Sequence, residues 1–158
     1  MSRNQLIERY ERGIELFIDA VKGAPSRIWD DEPFPDKWSV RQIVHHTVDA
    51  EVMFSLRIRM IAWQDGVKVP EFDQEKWAAN LGYELRPVDA SVELFAALRQ
   101  ANAALLRALP EESWSHVGIH SERGSMKIED WVEVYIGHGE NHARAIREAS
   151  AMLTRAVA

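Results

Sequence analysis

The sequence predicts an all-α protein, a four-helix bundle with a long connection between its second and third helices. Three observations carry that expectation. Four long segments repeat apolar residues at the helical period. Turn-forming residues cluster between those segments. Strand-like alternation is nearly absent. Four helices with one apolar face each bury those faces most simply against one another. The 158 residues are enough for one domain with a sizeable core, so residues 1–158 are read as a single helical-bundle domain.

The first helix is expected from about Ser2 to Lys22, with Leu6, Tyr10, Gly13, Phe17 and Val21 on one face. Ser2 and Gln5 have capping-box spacing, and Gly23 with Pro25 supplies the stop. The second follows the turn-rich "DDEPFPDKW". Ser39 and Gln42 form a second capping box, with Trp38 and Ile43 placed as a hydrophobic staple. Val44, Val48, Met53, Leu56 and Met60 continue its apolar face towards Gly66. The connection from Val67 to Pro87 is longer than a hairpin needs, so a crossover is open, and "DQEKWAAN" within it fits a short helix. Asp89 is the expected N-cap of the third helix, which runs to about Leu109. A loop follows, with an extended piece at "SHVGIH". The fourth helix is expected from about Lys127 to Arg155.

Composition narrows the function. The net charge is −6, which disfavours a nucleic-acid partner. Arg57 and Arg59 in "SLRIRM" read as solvated or ion-paired positions on an exposed flank. No stretch approaches the ~20 apolar residues of a membrane span, and the N-terminus lacks a signal peptide's apolar region, so a cytoplasmic location is expected. There is no cysteine. Disulfides, thiolate nucleophiles and cysteine metal sites are thereby excluded, and any transition metal must be held by imidazole and carboxylate.

Two histidines stand out in "WVEVYIGHGENHARAIREA". His138 and His142 are four residues apart, one turn on a helix, in a stripe that otherwise reads as core. A buried imidazole needs a hydrogen-bond partner or a metal. His46 lies on the apolar face of the second helix, with His45 turned sideways and Asp49 three residues on. Helices facing each other can bring His46 to the other pair. Three histidines with an open fourth position make a reactive metal centre. Asp49 then fits as a hydrogen-bond acceptor for a ligand imidazole, a further ligand or a proton acceptor. Spacing alone leaves open that His46 is a satisfied core residue, that His138 and His142 sit at an exposed edge, and that Asp49 is solvated.

The chain resembles the DinB/YfiT-like superfamily along nearly its whole length. The resemblance rests on "W-S-x-R-Q-x-x-x-H" from Trp38 to His46, on Asp49 to Glu51, and on Tyr135 with His138 and His142. The loop from His120 to Gly124 is similar to the family's "HPxxG", with Ser121 in place of proline. The resemblance implies a divalent metal, zinc or nickel, on His46, His138 and His142, while Asp49 is the catalytic candidate by its spacing from His46. It implies a thiol-dependent transferase or a hydrolase acting on a small molecule, a low-molecular-weight thiol among the candidates, and a homodimer. The alternative is a non-catalytic ligand-binding or dimerising bundle whose histidine cluster is structural.

Overall fold

A computed structural model of the chain describes residues 1–156. Its elements in order are α1 (Arg3–Lys22), α2 (Val40–Trp63), β1 (Val67–Lys68), α3 (Gln74–Asn80), α4 (Val88–Ala108), β2 (Val117–His120), β3 (Gly124–Lys127) and α5 (Ile128–Ala156). Both expected capping boxes are formed, at Ser2 with Gln5 and at Ser39 with Gln42. The cap of α4 is Pro87 rather than Asp89, which lies inside the first turn. Proline fixes its own φ near the value a helix entry needs, and so sets the start two residues early. Gly23 closes α1 with φ −73°, without a left-handed turn. Leu56, expected on the apolar face of α2, is exposed.

The long helices α1, α2, α4 and α5 form the bundle. α1 packs against α4 and α5, and so does α2, which puts α1 and α2 on a diagonal. Contacts fix the directions. Arg9 bonds Glu140 and Arg147 bonds the carbonyl of Leu16, so α1 and α5 run parallel. His45 meets Ser91 and Ser55 meets Asn102, so α2 and α4 also run parallel. Arg107 meets Glu11 while Phe17 meets Phe95, so α1 and α4 are antiparallel. The order is therefore up, down, down, up. α2 spans about 36 Å at 1.5 Å per residue, and residues 64–87 return along that length before α4 begins. The sheet closes one end of the bundle, with β1 parallel to β2 and β2 antiparallel to β3. Only β2 was expected. β1 has two residues, and β3, Gly124–Lys127, has no apolar alternation to mark it.

The core has two apolar halves. One holds Phe54, Ile58, Leu106 and Trp131, and the other holds Phe17, Val44, Phe95 and Ile146. At the boundary lies a polar layer built on Arg99, which is 1 % exposed. Its Nε donates to Glu51 on α2, Nη1 to the carbonyl of Tyr10 on α1, and Nη2 to the carbonyl of Tyr135 on α5. The Tyr10 hydroxyl donates to Glu51, and Asn102 donates to Tyr10. Removing Arg99 or Glu51 alone would strand the other's buried charge. Gly13 and Gly139 make room for the guanidinium. A Cβ on Gly139 would sit 2.6 Å from Arg99 Nη2, and one on Gly13 would collide with Nη1.

Glycine-to-alanine changes on the helices should therefore split by location. Alanine gains about 1 kcal/mol of helix propensity over glycine. At Gly13 or Gly139 overpacking against Arg99 should outweigh that gain, for a net loss of about 1–3 kcal/mol. At Gly137 nothing lies within 4 Å of the added Cβ, so Gly137→Ala should be stabilising. Urea denaturation of the three variants measures the difference.

Candidate metal centre

His46 comes from α2 and His138 with His142 from α5, held at this level by the Arg99 layer. The Nε2 atoms of His46 and His138 are 3.0 Å apart, and those of His138 and His142 3.1 Å. One ligand atom from each ring lies within 4.8 Å of the other two. Phe72 stacks on His46 at 5.6 Å between ring centroids, and Trp38 meets it edge-on at 4.7 Å. Burial holds all three rings neutral. It lowers His46 to about 3 and His142 to about 4, and it puts His138 well below the ordinary histidine value, with the neighbouring rings adding to it.

This geometry fits a metal ion. An imidazole nitrogen offers either one N–H or one lone pair in the ring plane. His138 Nε2 approaches two other ring nitrogens and can satisfy only one of them by a hydrogen bond. A cation shared by three neutral nitrogens, at the 2.0–2.1 Å typical of zinc and imidazole, satisfies all three together. The Nδ1 of His46 is buried without a hydrogen-bond partner among the described residues.

Asp49 is turned to Arg86. Both of its oxygens accept from Arg86, at 2.8 and 2.9 Å, and no hydrogen bond joins it to the three histidines among the described residues. The return connection carries Arg86 onto this face of α2 and takes the carboxylate first. His45 is buried and fully used, between the Ser91 hydroxyl at 2.9 Å and the Arg86 carbonyl at 3.1 Å. His120 sits at the end of β2, where its Nδ1 accepts the backbone N–H of Glu122 at 3.1 Å.

The site opens into a cleft of about 510 Å³ lined by His46, His138, Phe72, Arg57, Tyr135 and His120, among others. A second cleft, of about 460 Å³ and walled by Trp38, Ile43 and Met152, borders His142 on the other side. Arg57 corrects the sequence reading. It is 4 % exposed and lies in the first cleft rather than on a solvated flank. The signal was its spacing: eleven residues after His46 is three helical turns, on the same face. Arg59 is on the exposed side and bonds Ser55 and Asn102.

The profile of the DinB superfamily matches residues 9–146. The chain belongs to the DinB superfamily. Among curated relatives, an Oceanobacillus iheyensis protein named "Putative metal-dependent hydrolase" is 30% identical over 66% of this chain and 60% of its own length. A Halalkalibacterium halodurans protein of the same description is 27% identical over 90% of this chain and 89% of its own. This chain thus spans under two thirds of the first relative and most of the second. YfiT from Bacillus subtilis, described as a probable metal-dependent hydrolase with an unusual four-helix bundle topology, superposes with a TM-score of 0.89. It is 21% identical over 98% of this chain and 90% of that one. A mycothiol-dependent maleylpyruvate isomerase superposes at 0.76, with 11% identity over 92% of this chain and 61% of that chain. These two likenesses concern the fold.

The depressed histidines make a pH prediction for the chelated protein. Their native pKa values lie below the unfolded value near 6.5, so the unfolded chain binds more protons between the two. Stability is then fully present above about pH 6.5 and falls as pH drops towards 4. Urea titrations across that range should show the decline, and His142→Phe should make it shallower, since His45, His46 and His138 are lowered as well. A flat profile in the parent protein would contradict the burial of neutral rings.

Proposed function

We propose that this chain is a metal-dependent enzyme acting on a small molecule, with His46, His138 and His142 holding one divalent ion, zinc or nickel. The observation that carries this reading is the convergence of three neutral ring nitrogens from two helices beside an open cleft. An ion bound there would act as a Lewis acid, lowering the pKa of a water or of a thiol supplied with the substrate. Three neutral ligands leave its charge uncompensated and favour an anion in the cleft. The rest of the work falls to the chain. Phe72 and Trp38 cover faces of His46 and keep water from it. Asp49 enters as a positioning residue, fixing Arg86 and with it the carbonyl that holds His45.

Hydrolysis and thiol transfer both suit such a site. The relatives carry the first name, and a structural neighbour is described by a thiol-dependent chemistry. Without cysteine in the chain, any thiol belongs to a substrate. The acidic balance gives no support to a nucleic-acid role, and no described helix is long and apolar enough to cross a membrane. A structural role for the ion has one observation in its favour, because the cluster ties α2 to α5.

Metal analysis of protein purified without a histidine tag should find one divalent ion per chain. His46→Ala, His138→Ala and His142→Ala should each lose it. Chelation with little change in melting temperature favours the reactive site, and a large drop favours the structural role. A chain that takes up no metal on reconstitution would refute both.

A further inference from the structure

Arg57 is a buried cation with only neutral partners. Its Nε and Nη2 donate to the carbonyl of Pro70, at 3.0 and 2.6 Å, and its Nη1 to the Tyr135 hydroxyl at 3.1 Å. The guanidinium lies over the Trp131 ring, 5.0 Å from its centroid. No carboxylate comes within 4.0 Å of it among the described residues, whereas the other buried arginine, Arg99, is paired with Glu51. Buried charges are ordinarily paired. A guanidinium has five N–H groups. Three are used here, which leaves one N–H on each of Nη1 and Nη2.

The neighbouring groups share that lack. Tyr135 accepts from Arg57, so its own proton is free, and it has no acceptor among the described residues. The indole N–H of Trp131, a residue 1 % exposed, is buried without a partner. His120 accepts at Nδ1, so its neutral ring carries its proton on Nε2. All four residues line the cleft that reaches His46 and His138. Glu71, Asp73 and Glu122 also line it, but they are exposed and hydrated. Asp73 is in addition engaged with Lys76.

We propose that the floor of this cleft is a carboxylate-binding subsite, built on Arg57 with the Tyr135 hydroxyl and the Trp131 indole N–H. Two N–H groups left on one guanidinium suit a planar, two-oxygen acceptor. The acidic residues around the mouth disfavour more highly charged anions. That the carboxylate belongs to the substrate rests on the function proposed above. The subsite would then anchor that end of the molecule, leaving its reacting atom at the histidines.

The test uses the full chain, chelated so that no metal can bind the probe. Butyrate, butyramide and inorganic phosphate are titrated into protein carrying ¹⁵N-labelled tryptophan. Butyrate should bind more tightly than the other two. It should shift the Trp131 indole resonance, which Trp131→Phe identifies. Arg57→Gln should weaken butyrate at least about tenfold, and Tyr135→Phe severalfold. Equal binding of the amide, preference for phosphate, an unmoved Trp131 resonance or undiminished affinity in the variants would overturn the proposal. If Arg57→Gln does not fold, Tyr135→Phe and the indole signal decide. Metal content is read separately. Arg57→Gln should keep its ion, and a wild-type chain that takes up none would defeat the enzyme reading while leaving the butyrate result to stand or fall alone.

Discussion

One guanidinium touches every long helix of this protein. Arg99 leaves α4, meets the carboxylate of Glu51 on α2, and donates to backbone carbonyls of α1 and α5. Apolar packing alone allows helices to slide by a turn at small cost, because one aliphatic contact resembles the next. A fully satisfied buried ion pair does not allow this, since a slip would leave charges in a medium that cannot solvate them. The two glycines facing Arg99 set the depth at which it can sit. Gly139 lies next to His138 in the chain, so the constraint that fixes the register of α5 also fixes the height of the histidines.

This arrangement explains how two helices on opposite strokes of the bundle present nitrogens about 3 Å apart. The rings stand where the polar layer gives way to the second apolar half, and burial keeps them uncharged. Neutral rings would repel a cation far less than protonated ones.

The bundle and the pair His138 and His142 were legible in the sequence because both rest on local spacing, and the resemblance added His46 to the pair. Capping boxes are three residues wide, and His138 and His142 are one turn apart. His46 stood out as an ionisable residue on an apolar face. What stayed hidden depends on residues far apart in the chain. Nothing near Arg99 tells that it is buried, since its partners lie 36 to 89 positions away. Asp49 had the right spacing to face His46, but Arg86 reaches it from the return connection. Arg57 carries its signal three turns beyond His46, but its neighbours in "SLRIRM" give it the look of an exposed flank. The parallel course of α2 and α4 was left open, because the length of a connection does not say where it runs.

That return course has a consequence for how such a protein can change. The segment leading from α2 back to α4 covers the length of the bundle and buries Val69 and Tyr83 on the way. It also supplies Phe72 over His46, the Pro70 carbonyl under Arg57, and Arg86 against Asp49. Substitution at the exposed positions of this strap would reshape the mouth of the cleft while the helical scaffold stays as it is. The cleft is thus walled by two kinds of chain, helices that carry the histidines and Arg57 and a connection that closes over them.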